Sequence, residues 1–171
     1  MGWVLMYIDE KKKVLFVIGM ETELDSFIKK KVKINPENIL ILQSYGPVIS
    51  QPFGDLMRDI IISVYQENVD EIVVVASEED QKNAGDILSK IVEKKELQEN
   101  IQMINYLLKN GQSPYLEGTI SEWIEGGKTV TEDVQNSVNV IRNHPLMPPH
   151  VKVRGIFIEK ENDKQSDIEA S

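Results

Sequence analysis

Two unbroken apolar runs set the pattern of the chain. Ile72-Val73-Val74-Val75-Ala76 follows Asp70-Glu71 and stops at Ser77-Glu78-Glu79-Asp80, and Val14 to Ile18 stops in a similar way at Gly19, Met20 and the acids Glu21 and Glu23. Runs this short are unsuited to a helix, and they lack the alternation of a strand with one wet face. Each therefore reads as a strand buried on both sides in a parallel sheet. After the first run, Leu24, Phe27, Ile28 and Val32 have helical spacing, Asn35-Pro36-Glu37-Asn38 turns the chain, and Ile39 to Leu42 forms a second strand. Pro52-Phe53-Gly54-Asp55 then leads into a helix with apolar residues at 53, 56, 57, 60, 61 and 64, a wide core-facing stripe that Asn68 ends. Strand, helix and strand with short joints make a right-handed crossover, so the pattern predicts an open α/β sheet.

Downstream, Ala84, Ile87, Leu88, Ile91 and Val92 mark a further helix, and Leu97 to Leu108 another. A short helical piece around Ile120–Ile124 is ended by Gly126-Gly127. A helix capped by Thr131-Glu132-Asp133 follows, with Val134, Val138 and Ile141 on one face. The segment His144-Pro145-Leu146-Met147-Pro148-Pro149 is a rigid connector, because proline fixes φ and removes a donor. Val151 to Ile158 is the last predicted strand. The pattern gives one domain over 1–160, with 161–171 a polar tail expected to fray.

Composition narrows the function classes. A chain of 171 residues suits a single core, and a net charge of −9 speaks against nucleic acid as partner. The basic run Lys29-Lys30-Lys31 reads as a solvated helix end. Cysteine is absent, which removes disulfides, thiolate catalysis and sulfur-ligated zinc together. No apolar stretch reaches the ~20 residues a membrane span requires, and the first residues carry no basic leader, so the expected location is cytoplasmic.

Ligands in open α/β sheets gather where strands end, which directs attention to Ser77–Asp80, read as a polar loop, and to the end of the first strand. These ends offer a hydroxyl and carboxylates but no histidine, cysteine or lysine. Two carboxylates 4 Å apart repel by about 4 kcal/mol at an effective dielectric of about 20, so such acids bind a cation, take up a proton or turn to solvent. Turning to solvent is the reading the residues favour. The alternative is a hard, oxygen-ligated cation held by Glu21, Glu23 and Asp80, since Gly19, Glu21 and Glu23 would share a face were the strand to continue. Arg58 is the candidate anion contact, set against a simple pairing with nearby acids. His144 and His150 have no ligand companion at useful spacing, and Trp3 and Trp123 read as packing or interface anchors. Gly126-Gly127-Lys128-Thr129 ends like a phosphate loop but follows a helix and lacks the earlier glycine. No serine sits in a nucleophile elbow.

Several phrases resemble the β-class carbonic anhydrases, notably the short bacterial members, over roughly residues 13–160. They are Gly46-Pro47-Val48-Ile49-Ser50-Gln51-Pro52-Phe53-Gly54-Asp55-Leu56-Met57-Arg58, Asp70-Glu71-Ile72-Val73-Val74-Val75, Ser137-Val138 through His144-Pro145-Leu146, and Val153-Arg154-Gly155. The resemblance implies a parallel four-stranded core with an extra edge strand, helices on both faces, and an intimate dimer with zinc near the interface. Family members hold zinc through a cysteine after the first strand and a His-x-x-Cys pair after the third, with an Asp-x-Arg dyad nearby. Aligned on their surroundings, the first cysteine falls on Gly19, the dyad on Glu21 and Glu23, the histidine on Ser77 and the second cysteine on Asp80. An Asn-Ala-Gly phrase becomes Ser44-Tyr45-Gly46.

Zinc hydration chemistry needs a tightly held ion that lowers the pKa of bound water to about 7, and these substitutes do not provide one. The resulting expectation is a carbonic-anhydrase-like protein without the zinc site or any cofactor, catalytically inactive, acting by binding or as an assembly subunit. The alternatives are an enzyme reassigned to an oxygen-ligated divalent cation and, third, a true carbonate dehydratase. A homodimer is expected, weaker than a typical member's because the segment before Val14 is short. Trp3, Val4, Leu5, Tyr7 and the helix from Phe53 to Tyr65 would contribute its contacts.

Overall fold

The structure, a computed structural model, describes residues 8–20, 22–45, 49, 51–83, 86–111, 118–127, 129–159 and 164–168, with the side chains at 22–24, 31, 81–83 and 164–167 outside that description. Strand β1 (Val14–Gly19) leads through α1 (Thr22–Lys31) to β2 (Ile39–Ser44), and α2 (Asp55–Glu67) leads to β3 (Glu71–Ser77). Four short to medium helices follow: α3 (Glu78–Asn83), α4 (Asp86–Val92), α5 (Gln98–Asn110) and α6 (Ile120–Glu125). Then come α7 (Val130–Arg142), β4 (Lys152–Glu159) and β5 (Lys164–Ile168). The sheet order is β2-β1-β3-β4-β5, with the first four strands parallel and β5 antiparallel to β4. This is the expected four-stranded parallel core with an extra edge strand.

The apolar runs of β1 and β3 are unbroken because the sheet buries both faces. Leu15, Val17, Ile72, Val74 and Ala76 pack against Met57, Ile60 and Val64 of α2 and Val134, Val138 and Ile141 of α7. Val14, Phe16, Ile18, Val73 and Val75 pack on the opposite face with Ile28 of α1 and with Val32 and Ile34. Each fully buried aliphatic side chain contributes about 1.5–3 kcal/mol of transfer free energy. α7 lies close over β4: a Cβ at Gly155 would run into Cγ1 of Val134. Asn68 ends α2 in the left-handed conformation, φ 55°, its N–H donating to Val64 O.

Long-range polar ties hold the loops to this frame. The Ile49 N–H donates to Ser137 Oγ at 2.8 Å in a buried contact. His144 is buried, with Nε2 2.9 Å from Pro52 O and Nδ1 accepting from the Leu146 N–H. Those partners make Nε2 the protonated nitrogen. The Asp70 carboxylate accepts from the Lys13 N–H at 3.0 Å, while its own carbonyl accepts from the Lys152 N–H at 3.1 Å. Glu71, buried, forms a 2.6 Å charge pair with Arg154 Nε, too poorly aligned to count as a hydrogen bond.

Three expectations need correction. The stretch after β3 is not a loop: Glu78-Glu79-Asp80 form the first turn of α3. The helix predicted to start at Thr131 starts at Val130, and its cap is Thr129, whose Oγ1 accepts from the Glu132 N–H. The tail predicted to fray forms β5 over Lys164–Ile168, because an edge strand needs only backbone pairing with β4 and one buried apolar residue, here Ile168. The remainder of 160–171, and the apolar Trp3, Val4, Leu5 and Tyr7, lie outside the described residues.

Candidate functional site

Parallel pairing places the C-terminal ends of β1, β2 and β3 together. Gly19 is in register with Ser44, the last residue of β2, and Ser77 closes β3. Ser77 is fully buried. Asp80 is carried back toward it by the first turn of α3. Its Oδ2 accepts from the Ser77 backbone N–H at 2.8 Å and lies 3.4 Å from Ser77 Oγ. A side chain three residues into a helix reaching back to the residue before it is one half of a capping box. Oδ1 faces β1, where a Cβ on Gly19 would lie 2.6 Å away. Only a residue without a side chain admits this approach.

The carboxyl of Asp80 is pushed above the usual carboxylate range, chiefly by burial. The two hydrogen bonds from Ser77 oppose the rise, and the charge of Glu79 adds to it. The acids here were expected to turn to solvent or to hold a cation. Asp80 instead turns inward and satisfies the end of its own helix.

The other positions singled out by sequence are less concentrated. Tyr45 is 93% exposed. Gly46 and Glu21 lie outside the described residues, as does the side chain of Glu23. The premise that placed Gly19, Glu21 and Glu23 on one face fails, since β1 ends at Gly19 and α1 begins at Thr22. Among the described residues, no group of three His, Cys, Asp or Glu side chains is placed to hold a metal ion. Arg58 is exposed and pairs with its neighbour Asp59 at 3.4 Å. His144 belongs to the tie with Pro52, and Trp123 is exposed.

Sequence reasoning missed the Ser77–Asp80 cap. Its signal was available: serine followed three residues later by an acid is a helix-start pattern. The close approach to Gly19 was not available, because it depends on how β1 and β3 sit side by side.

What the site can do follows from its atoms. It combines a buried hydroxyl, a carboxylate already accepting from its own chain, and a glycine with no side chain to offer. It contains no imidazole or thiolate to bind a soft or borderline metal.

Comparison with known proteins places this geometry in context. No family model matches the chain. The carbonic anhydrase-like protein YbcF of Bacillus subtilis is 37% identical over 164 residues, covering 96% of this chain and 91% of that protein. Among solved structures, the β-carbonic anhydrase isoform I of Trichomonas vaginalis superposes with a TM-score of 0.68 at 20% identity, covering 96% of this chain and 87% of that one. The apo form of a carbon disulfide hydrolase superposes at 0.63 with 19% identity, covering 96% of this chain and 82% of that one. Such distant structures establish the fold, and a fold alone does not fix an activity.

Proposed function

The chain belongs to the β-class carbonic anhydrase family, and we propose that it is a non-catalytic member that acts by binding or as an assembly subunit. One observation carries the reading: the Asp80 carboxylate stands 2.6 Å from where a side chain at position 19 would begin, and is held there by the Ser77 N–H. On the alignment of the resemblance, positions 19, 77 and 80 are where the family keeps its zinc ligands. Zinc does not fit this donor set. Gly19 contributes no donor, and the neutral hydroxyl of Ser77 is a weak ligand. A single carboxylate engaged by its own helix end cannot hold the ion alone. The geometry also removes the strand face on which an oxygen-ligated cation was to rest.

Stopped-flow carbon dioxide hydration tests the proposal, using purified protein with and without added zinc. The expected result is a rate equal to buffer in both arms. A zinc-dependent, chelator-sensitive acceleration would return the protein to the enzymes.

For assembly, the supporting feature is the surface of α2 and the connector. Phe53 is 69% exposed, Tyr65 59% and Leu146 58%. The Phe53 ring packs edge-on against His144 at 5.6 Å, and the Tyr65 hydroxyl donates to Leu146 O at 2.7 Å, so the three belong to one surface. Ile62, one turn before Tyr65 on α2, is also exposed. A contiguous apolar surface of this kind is covered in most proteins, and we propose a second copy of the chain as its cover. Each copy carries −9, so the dimer should tighten as salt rises. Light scattering should report twice the chain mass at micromolar concentration, and Ile62→Glu should shift it to monomer. A monomer at every concentration and salt level contradicts the assignment.

A further inference from the structure

We infer that positions 19 and 80 are one coupled unit, in which the Asp80 carboxylate occupies the space that a side chain at position 19 would take. This rests on the reading of the site as having exchanged metal ligands for an internal cap, and it goes further. The coupling runs one way: position 19 cannot take a side chain while Asp80 stands, whereas position 80 can be shortened with Gly19 in place.

The constraint follows from how Asp80 is held. Oδ1 is the atom that a Cβ on Gly19 would meet, at 2.6 Å, with Cγ next at 3.5 Å. A carboxylate at the end of a free side chain would swing aside at little cost. Asp80 cannot, because its other oxygen accepts the Ser77 N–H at 2.8 Å, and rotating Oδ1 away from Gly19 pulls Oδ2 off that donor. Ser77 is fully buried, so water does not replace the lost acceptor. Asp80 also has only two side-chain torsions and sits in the first turn of α3, so the helix itself would have to move. A residue larger than glycine at 19 therefore forces either a close contact with the carboxylate or an orphaned buried N–H. Replacing Asp80 by a shorter residue removes the obstruction at its source, while Asn, the same shape without the charge, leaves it in place.

The test is a thermal double-substitution cycle in chelator-treated buffer, which keeps it independent of any metal. Gly19→Ala should lower the melting midpoint by roughly 5 °C in the natural background. With Asp80→Ser already present, the same change should cost less than about 2 °C. With Asp80→Asn present, it should cost as much as in the natural chain, showing that shape and not charge is responsible. Equal cost of Gly19→Ala beside Asp80 and beside Ser would overturn the inference. If Gly19→Ala alone yields no soluble protein, the soluble yield of Gly19→Ala with Asp80→Ser decides. Recovery supports the coupling, and continued loss refutes it. Zinc-dependent hydration by the natural protein would defeat the proposed function while leaving the coupling measured here intact, so the two failures are separable.

Discussion

Two regions of this molecule hold buried polar groups near the ends of the sheet, and they do so by opposite means. In the connector region, Ser137 receives the N–H of Ile49 from 88 residues away, and His144 meets the carbonyl of Pro52 from 92 residues away. At the tips of β1 and β3, Asp80 caps Ser77 across three residues, and Gly19 faces the carboxylate from β1 without a side chain. Long-range ties define the path of the chain, so altering one disturbs loops on two elements at once. A local cap can be rewritten within one turn of chain while the sheet stays where it is. Under the proposed function, this contrast accounts for a protein that keeps the family's connecting phrases and has lost its chemical ones.

The comparison can be broken most sharply where helix and sheet touch. Gly155→Val, set against Val134, should destabilise by at least the 1–3 kcal/mol typical of overpacking, and urea unfolding reads this directly. Next, Ser137→Ala strands the buried N–H of Ile49 and should cost about 1–3 kcal/mol. A cost below that of Asp80→Ser would reverse the ranking of distant over local ties. Asp80→Ser removes a helix-end acceptor and should cost about 0.5–2 kcal/mol.

A smaller effect concerns pH. Asp133, whose carboxylate accepts the Gly127 N–H, has its carboxyl raised above the usual 3.8, mainly by burial. The charge of Glu132 adds to the rise and the hydrogen bond opposes it. The native state therefore binds this proton more tightly than the unfolded chain. The linked stability is fully present below 3.8 and is lost as pH rises through the higher native value. Asp133→Asn should flatten that fall, seen as a stability difference from the natural chain that changes across the window just above 3.8. A difference constant with pH contradicts the assignment. The smallest effect should be Arg58→Gln, within about 0.5 kcal/mol, since an exposed pair with an adjacent acid contributes little.

The centre of the sheet was legible because β1 and β3 carry apolar runs without interruption, and α2 and α7 because Met57, Ile60, Val64, Val134, Val138 and Ile141 recur at helical spacing. Two elements were not. α3 carries no apolar periodicity, and its acids read as a loop until the cap between Ser77 and Asp80 is recognised. β5 is a polar segment whose pairing is made by backbone, which hydropathy does not register. The site divides similarly. That Gly19, Ser77 and Asp80 lie at strand ends was readable from where the apolar runs stop. That Asp80 fills the space above Gly19 was not, because lateral contacts between parallel strands leave no local signature.

The central claim is that the fold persists here with its metal position rebuilt as protein. Elemental analysis of the purified chain, after equilibration with excess zinc and removal of loosely held ion, tests it most directly. The account predicts well under one zinc per chain, unchanged whether the protein is prepared with or without the metal. One zinc per chain, retained through gel filtration, would contradict it.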